Sequence, residues 1–127
     1  MIKVSRTSDG LTTTQQYFLT LAPNVQKMSD KAGEVITIDA YCLYDDISET
    51  KNGDEKVTTI LAIKTPDNNV YGTNSATFIK SFVDMIDFFK SNGENVNHCL
   101  IDAGKSKNGR EFIQCVFVPD DSPLLND

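Results

Sequence analysis

A short basic segment, DAGKSKNGREF at residues 102–112, holds three cationic side chains within six positions and no acidic side chain among them. These are Lys105, Lys107 and Arg110, and the chain of 127 residues around them is acidic, with a formal net charge of −6. Lys and Arg are the side chains that bind phosphate oxygens. The segment therefore predicts contact with an anion, through either a nucleotide-binding loop or a hairpin tip that meets a polyanion.

The nucleotide-binding alternative depends on the Gly-Lys-Ser at residues 104–106. A phosphate-binding P-loop carries another glycine five residues before that glycine and leads into a helix. Here the earlier position is Cys99, and the residues that follow, EFIQCVFV, have the composition of a strand. The segment is therefore not a P-loop. Its Asn108-Gly109 pair is instead typical of the turn between two antiparallel strands.

Residues able to carry catalysis or hold a metal are few and scattered. His98 is the only histidine, and Cys42, Cys99 and Cys115 are widely spaced in apolar runs. Neither a Gly-x-Ser-x-Gly elbow nor a Cys-x-x-Cys pair occurs. We therefore predict no catalytic residues, no metal, no cofactor and no disulfide. A small enzyme acting on dinucleotides or phosphoesters stays an alternative, and it would need His98.

The first regular elements that the sequence indicates after the N-terminal arm are β-strands. In EVITIDAYCLYDD, residues 34–46, apolar side chains alternate from Ile36 to Cys42, and Tyr41 falls on the opposite, polar face. This alternation predicts one strand with an exposed side. KVTTILAIKT at residues 56–65 predicts a second strand after a turn-forming Asn-Gly pair, and VYG predicts a short third strand.

A helix is predicted after the third strand. Ser75 is suited to cap it, Gly93 is suited to end it, and apolar residues from Phe78 to Phe89 recur every three or four positions. Two more strands, VNHCLIDA and REFIQCVFV, flank the basic segment. The sequence therefore predicts a mostly β fold with one helix, and the element order is that of a five-stranded Greek-key barrel of the OB type. Other small α+β folds also combine short strands with one helix. In the OB fold, the face around strands two and three and the loops joining strands one to two and four to five bind oligonucleotides or oligosaccharides.

The chain divides into three predicted parts. Residues 1–21 are an N-terminal arm, and its TTTQQYFLTL run at residues 12–21 predicts an extra strand. This strand either belongs to the domain or adds to the sheet edge of a neighbouring subunit and supports oligomerisation. Residues 22–118 are the OB-type domain. Residues 119–127 are an acidic tail, which is a docking segment for a partner protein, a self-inhibiting segment or a frayed end. No signal peptide or membrane-spanning run is visible, so we expect a cytoplasmic protein with no membrane contact.

Binding to a single-stranded nucleic acid needs cations that follow the backbone and aromatic faces on which bases stack. The predicted face and loops offer both. The candidate DNA-binding residues are four aromatic and five cationic side chains: Tyr41, Tyr44, Tyr71, Phe112, Lys56, Lys64, Lys105, Lys107 and Arg110. Taken singly, such lysines also suit solubility at hairpin tips, and such aromatic residues also suit packing. Their convergence on one face favours binding to single-stranded DNA or RNA.

The chain also resembles a known family, over residues 22–118. GEVITIDAYCLY, DEKVTTILAI, NNVYGTNSATF and KSKNGREFIQ, in this order and spacing, are similar to segments of the single-stranded DNA-binding proteins of small protein-primed bacteriophages of Gram-positive bacteria. The resemblance implies a non-enzymatic OB-like protein that coats and protects single strands during replication in the host cell, without sequence preference. It also implies that Tyr44 and Tyr71 stack on bases, whereas the tail extends beyond the part of the chain that resembles the family. The alternative is an OB-fold module of a phage or conjugative element that binds a protein partner.

Overall fold

The protein is described by a computed structural model that covers residues 1–125; Asn126 and Asp127, the end of the predicted tail, lie outside the described residues. The helices are α1, Thr13–Thr20, and α2, Ala76–Ser91. The strands are β1 Ile2–Thr7, β2 Val25–Lys27, β3 Val35–Thr37, β4 Ala40–Glu49, β5 Glu55–Lys64, β6 Val70–Thr73, β7 His98–Lys105 and β8 Glu111–Phe117. Short 3₁₀ turns lie at Met28–Lys31 and Pro123–Leu125.

The strands form two sheets. The larger sheet has the order β1-β4-β5-β6-β2 and is antiparallel except for the parallel pair of β2 and β6. The smaller sheet has the order β3-β7-β8 and is antiparallel throughout. The fold is therefore mostly β and consistent with the OB-like fold predicted from the sequence, but it has two helices where one was predicted.

The predicted strand at residues 34–46 is divided between the two sheets. Ile36 pairs with Cys99 in the smaller sheet, whereas Tyr41 pairs with Ile63 in the larger one. Both Ile36 and Tyr41 lie in the main core, although strict alternation would put them on opposite faces. The phase of the alternation therefore changes at the linking residues 38–39. The prediction that Tyr41 lies on an exposed face was wrong for this reason.

The N-terminal segment differs from its prediction as well. Residues 12–21 were predicted to be a strand, but they form α1, and the N-terminal strand is β1. The side chain of Thr12 accepts a hydrogen bond from the Gln15 N–H at 3.1 Å, and the Gln15 side chain accepts one from the Thr12 N–H at 2.8 Å. This reciprocal cap satisfies two free N–H groups at the start of the helix and outweighs the strand preference of the threonines.

Two hydrophobic cores lie on opposite faces of the larger sheet. The main core packs the larger sheet against α2 and the smaller sheet, with Phe78 and Phe82 almost fully buried. The second core lies under α1, where Leu19 is fully buried. Around Leu19 pack residues of three strands: Ala40, Cys42, Tyr44, Ala62 and Val70. The centre of the larger sheet is therefore covered on both faces.

Helix α2 is confirmed as the sequence predicts it, from its cap at Ser75 to Gly93, whose φ of 74° follows the helix end. It also lies along β8. The Ser81 hydroxyl accepts a hydrogen bond from the Cys115 N–H at 2.8 Å, and the Ser75 hydroxyl donates one to the Ile113 carbonyl at 3.4 Å. These bonds occupy backbone groups on the open edge of β8, so this edge is protected against pairing with other chains.

Candidate nucleic-acid interface

The basic segment forms the tip of the β7–β8 hairpin. The turn closes through a hydrogen bond from the Ser106 N–H to the Arg110 carbonyl at 2.8 Å, and Gly109 takes the positive φ of 78° that such a turn needs. Lys105, Lys107 and Arg110 are all exposed. The turn predicted from Asn-Gly is therefore confirmed, and it presents three cations to solvent within one tight loop.

An open cleft lies at the base of this hairpin. It has a volume of about 840 Å³ and runs between the link from β6 to α2 and the hairpin strands. Phe112, which is half-buried, lines it together with Gly104. Lys105 and Asn74 add polar groups to its wall. An aromatic ring, a cation and a roomy cleft therefore occur together at this point.

The β4–β5 hairpin provides a second exposed tip. β1 reaches only as far as Asp46, and beyond Ile47 the two strands pair only with each other. Lys51 and Lys56 are exposed there. The same tip also carries acidic residues, namely Glu49, Asp54 and Glu55. Its net charge is therefore not positive, and of the two hairpins the β7–β8 tip is the stronger anion site.

Most of the Lys and Arg side chains that make no ion pair within residues 1–125 lie at the two hairpin tips. Five of the twelve Lys and Arg side chains pair with carboxylates: Arg6, Lys31, Lys64, Lys80 and Lys90. The remaining seven make no ion pair with residues 1–125: Lys3, Lys27, Lys51, Lys56, Lys105, Lys107 and Arg110. A paired cation has less net charge to offer a phosphate group. The β7–β8 tip, with three unpaired cations, therefore concentrates the available positive charge.

The three tyrosines predicted to bind DNA are buried in this structure, with exposed fractions of 7% for Tyr41 and 5% for Tyr44 and Tyr71. Tyr41 packs edge-on against Phe82, with ring centroids 5.2 Å apart. The Tyr44 hydroxyl donates to the Thr20 carbonyl at 3.4 Å, and burial raises its pKa. Lys31 Nζ lies 5.8 Å from the Tyr71 ring centroid. Base stacking by these rings stays a prediction, and it would require the elements that cover them to move.

The predicted cations and Phe112 fall into two groups. Lys105, Lys107, Arg110 and Phe112 meet on the β7–β8 hairpin. Lys56 and Lys64 lie on one face of β5, because they are separated by an even number of residues in an uninterrupted ladder with β4. Lys64 is paired with Asp39, whereas Lys56 is free of ion pairs within residues 1–125.

Sequence reasoning missed two exposed aromatic side chains on α1. Tyr17 and Phe18 are 49% and 53% exposed, next to the fully buried Leu19. The signal that could have found them is the Thr12-x-x-Gln15 capping pattern, which predicts a helix start. On a helix, three consecutive large residues cannot all face one core. The exposure of both rings was not predicted, because the strand prediction assigned alternate residues to one buried face.

Comparison with known proteins decides the family. A family model described as phage single-stranded DNA-binding protein matches residues 11–117. The chain belongs to this family. The phage single-stranded DNA-binding proteins of this type serve protein-primed replication, so the resemblance inferred from the sequence is confirmed, and the protein binds single-stranded DNA in phage replication. Searches of curated proteins and of solved structures gave no match.

The His98 side chain of this phage single-stranded DNA-binding protein has structural partners. His98 lies between the Thr37 hydroxyl, at 3.1 Å, and the Asp120 carboxylate, at 3.5 Å. Within residues 1–125, His, Cys, Asp and Glu side chains form no group of three that could hold a metal ion. Neither α1 nor α2 is long and apolar enough to cross a membrane.

Proposed function

We propose that the protein coats single-stranded DNA without sequence preference, with the DNA backbone following the β7–β8 tip and bases entering the adjacent cleft. The observation that carries this proposal is the position of Lys105, Lys107 and Arg110, which make no ion pair within residues 1–125, beside a cleft of about 840 Å³ that Phe112 lines. Cations of this kind attract the backbone, and an aromatic wall accepts any base. The combination suits binding of many sequences with similar affinity.

The cleft lies between strands of different sheets. β6 belongs to the larger sheet and β8 to the smaller one, and the described residues include no ladder between them. We place the cleft at the seam of a five-stranded OB-type barrel made of β3–β4, β5, β6, β7 and β8. In such a barrel the basic hairpin is the loop between strands four and five, which is a known position for oligonucleotide contacts.

The other predicted site residues would contribute less to DNA binding than the β7–β8 hairpin does. Lys56 would contact the backbone from the β4–β5 hairpin, at the loop between barrel strands one and two. Lys64 would do so only in exchange for its contact with Asp39. Tyr41, Tyr44 and Tyr71 would stack only in a conformation that uncovers them. Catalysis has no place in the proposal, and the site of action is the cytoplasm of the host cell.

Two further segments, residues 1–21 and the tail, would contact other protein molecules. β1 is an edge strand of the larger sheet, next to β4 alone, so residues 1–21 offer a backbone edge for self-association along DNA. The tail from residue 119 exposes Leu124 beside acidic residues, which suits docking to a replication protein. Sedimentation of the full chain with and without DNA tests the first role, and a single monomeric species at all concentrations would exclude it.

The experiment for the central proposal compares ligands. Binding to oligo(dT), to oligo(dC) and to a mixed-sequence single strand is measured by fluorescence anisotropy at about 50 mM salt, with a duplex of the same length as control. We expect similar affinities for the three single strands and weaker binding to the duplex. Equal or tighter binding to the duplex, or a strong preference for one base, would refute sequence-independent coating.

A further inference from the structure

The exposed rings of Tyr17 and Phe18 pack edge-on against each other on α1. Their centroids are 5.4 Å apart, with the ring planes at 77°. The helix that carries them is capped at Thr12 and anchored by the buried Leu19. Two half-exposed aromatic rings on an anchored helix leave a large apolar area in water, which is typical of a contact surface.

This aromatic pair lies on the sheet face that carries two of the predicted cations. The uninterrupted register of β5 places Lys56, Ile60, Ala62 and Lys64 on one face, and α1 packs over the middle of that face. At a rise of about 3.3 Å per residue, Lys56 and Lys64 are separated by roughly 26 Å along the strand. Leu19 of α1 packs on this stretch beside Ala62, and Phe18 lines a cavity together with Lys64.

A cavity of about 450 Å³ opens beside Phe18. The exposed amide side chains of Asn24 and Asn68 line it, and amides can both donate to and accept from the edge of a base. The Gln15 amide also lines the cavity, with its oxygen engaged in the helix cap. Its charged groups are Lys64, Asp39 and Asp9, of which Lys64 and Asp39 form an ion pair. Because the net charge of this lining is not positive, the cavity suits a neutral base better than a phosphate group.

From this geometry we infer a second base-binding site, in which Tyr17 and Phe18 stack on bases and the cavity beside Phe18 receives one of them. The ligand is a nucleobase of the same single strand that the β7–β8 hairpin holds, so the inference rests on the proposed function and deepens it. When one DNA strand binds across both sites, the hairpin cations contact its phosphate groups and the rings of α1 stack on its bases.

Intrinsic tyrosine emission tests this site directly, because the chain has no Trp and Tyr17 is the exposed member of its four tyrosines. We expect oligo(dT) to quench the emission of the wild-type protein. In Tyr17→Phe the quenched component should be lost, since the emitting phenol is removed. Quenching of the same amplitude in Tyr17→Phe would assign stacking to the buried tyrosines and overturn the inference.

Affinity provides the second test. Phe18→Ala should weaken oligo(dT) binding by about tenfold, because stacking on one base contributes roughly 1–3 kcal/mol. The slope of affinity against salt should not change, since no phosphate contact is removed. Phe88→Ala is the matched control, because Phe88 is 63% exposed on α2, and it should bind within twofold of the wild type. Circular dichroism of each variant checks that the fold is intact.

The outcomes separate this inference from the proposed function. If the wild type binds oligo(dT) with strong salt dependence and Phe18→Ala binds equally well, the second site is refuted and the proposed function stands. If the wild type fails to bind at about 50 mM salt, the proposed function itself fails. Cross-linking of an oligonucleotide containing 5-iodouracil supports the inference if the adduct maps to residues 12–21, and it opposes the inference if adducts map only to the hairpins.

Discussion

The ring of Phe112 lies over Gly104, its partner across the β7–β8 ladder, so closely that a β-carbon on residue 104 would stand 2.6 Å from Cζ of that ring. The glycine allows the ring to lie across the hairpin rather than swing away from it, and the ring in turn covers backbone that the glycine leaves bare. The aromatic wall of the cleft therefore depends on a residue with no side chain of its own.

Substitution of this glycine should displace the ring. Gly104→Ala is expected to lower the free energy of unfolding by about 1 kcal/mol, because the added methyl group overlaps the ring. In a Phe112→Ala background the same change should cost nothing, since the overlap is gone and alanine restricts the unfolded chain. Urea denaturation of the four proteins of this double-mutant cycle measures the coupling, and additive effects would contradict the contact.

Leu19 should anchor α1 to the larger sheet. Leu19→Ala is expected to lower the free energy of unfolding by about 2–5 kcal/mol, since it leaves a cavity in the second core. Leu21→Ala is the control, because Leu21 is 59% exposed, and it should change stability by no more than about 0.5 kcal/mol. Chemical denaturation measures both, and equal effects of the two changes would show that α1 is not anchored in this way.

The ion pair between β1 and α2 predicts a dependence of stability on pH. Arg6 donates to both carboxylate oxygens of Asp87, at 2.5 and 3.2 Å, and this holds the pKa of Asp87 below its ordinary value of 3.8. A carboxyl group whose pKa is lowered in the folded state stabilises the fold at pH values above its ordinary pKa. This stabilisation is lost as the pH falls through the lowered pKa. The melting temperature of Asp87→Asn should therefore be below that of the wild type at neutral pH and converge with it in acid. A constant difference at every pH would exclude this origin.

The three thiols should be unreactive in the folded protein. Cys42 and Cys99 are fully buried and Cys115 is 9% exposed. Burial raises the pKa of Cys42 to about 11, and the pKa of Cys115 is raised by its contact with Cys99. Because the thiolate is the reactive form, labelling with Ellman's reagent at pH 8 should be slow until guanidinium unfolds the chain. Rapid labelling of the native protein would contradict this burial.

Local patterns in the sequence were enough to predict some elements and not others. α2 has a cap and an apolar stripe that recur at helical spacing, and the β7–β8 turn is encoded by Asn108-Gly109, so both could be predicted. For α1, the threonines favoured a strand, and the cap from Thr12 to Gln15 decided otherwise. The division of β3 from β4 depends on which partner strand is nearer, which alternation within a single segment does not encode.

The candidate site could be predicted only where it is local in sequence. Lys105, Lys107 and Arg110 belong to one turn, so their exposure follows from the hairpin. The lining of the cleft combines residues from β6, β7 and β8, and the close approach of Gly104 to Phe112 depends on the register between two strands. Tertiary packing sets these relationships.

The contact between the β7–β8 tip and the DNA backbone is tested most directly by the salt dependence of oligo(dT) binding in two variants of equal net charge. The first replaces Lys105, Lys107 and Arg110 by Gln, and the second replaces Lys3, Lys80 and Lys90 by Gln. For single strands, the logarithm of affinity falls against the logarithm of salt concentration by about 0.7 for each phosphate contact. We expect a slope shallower by about 2 for the hairpin variant and a wild-type slope for the other. A wild-type slope in the hairpin variant would contradict this contact.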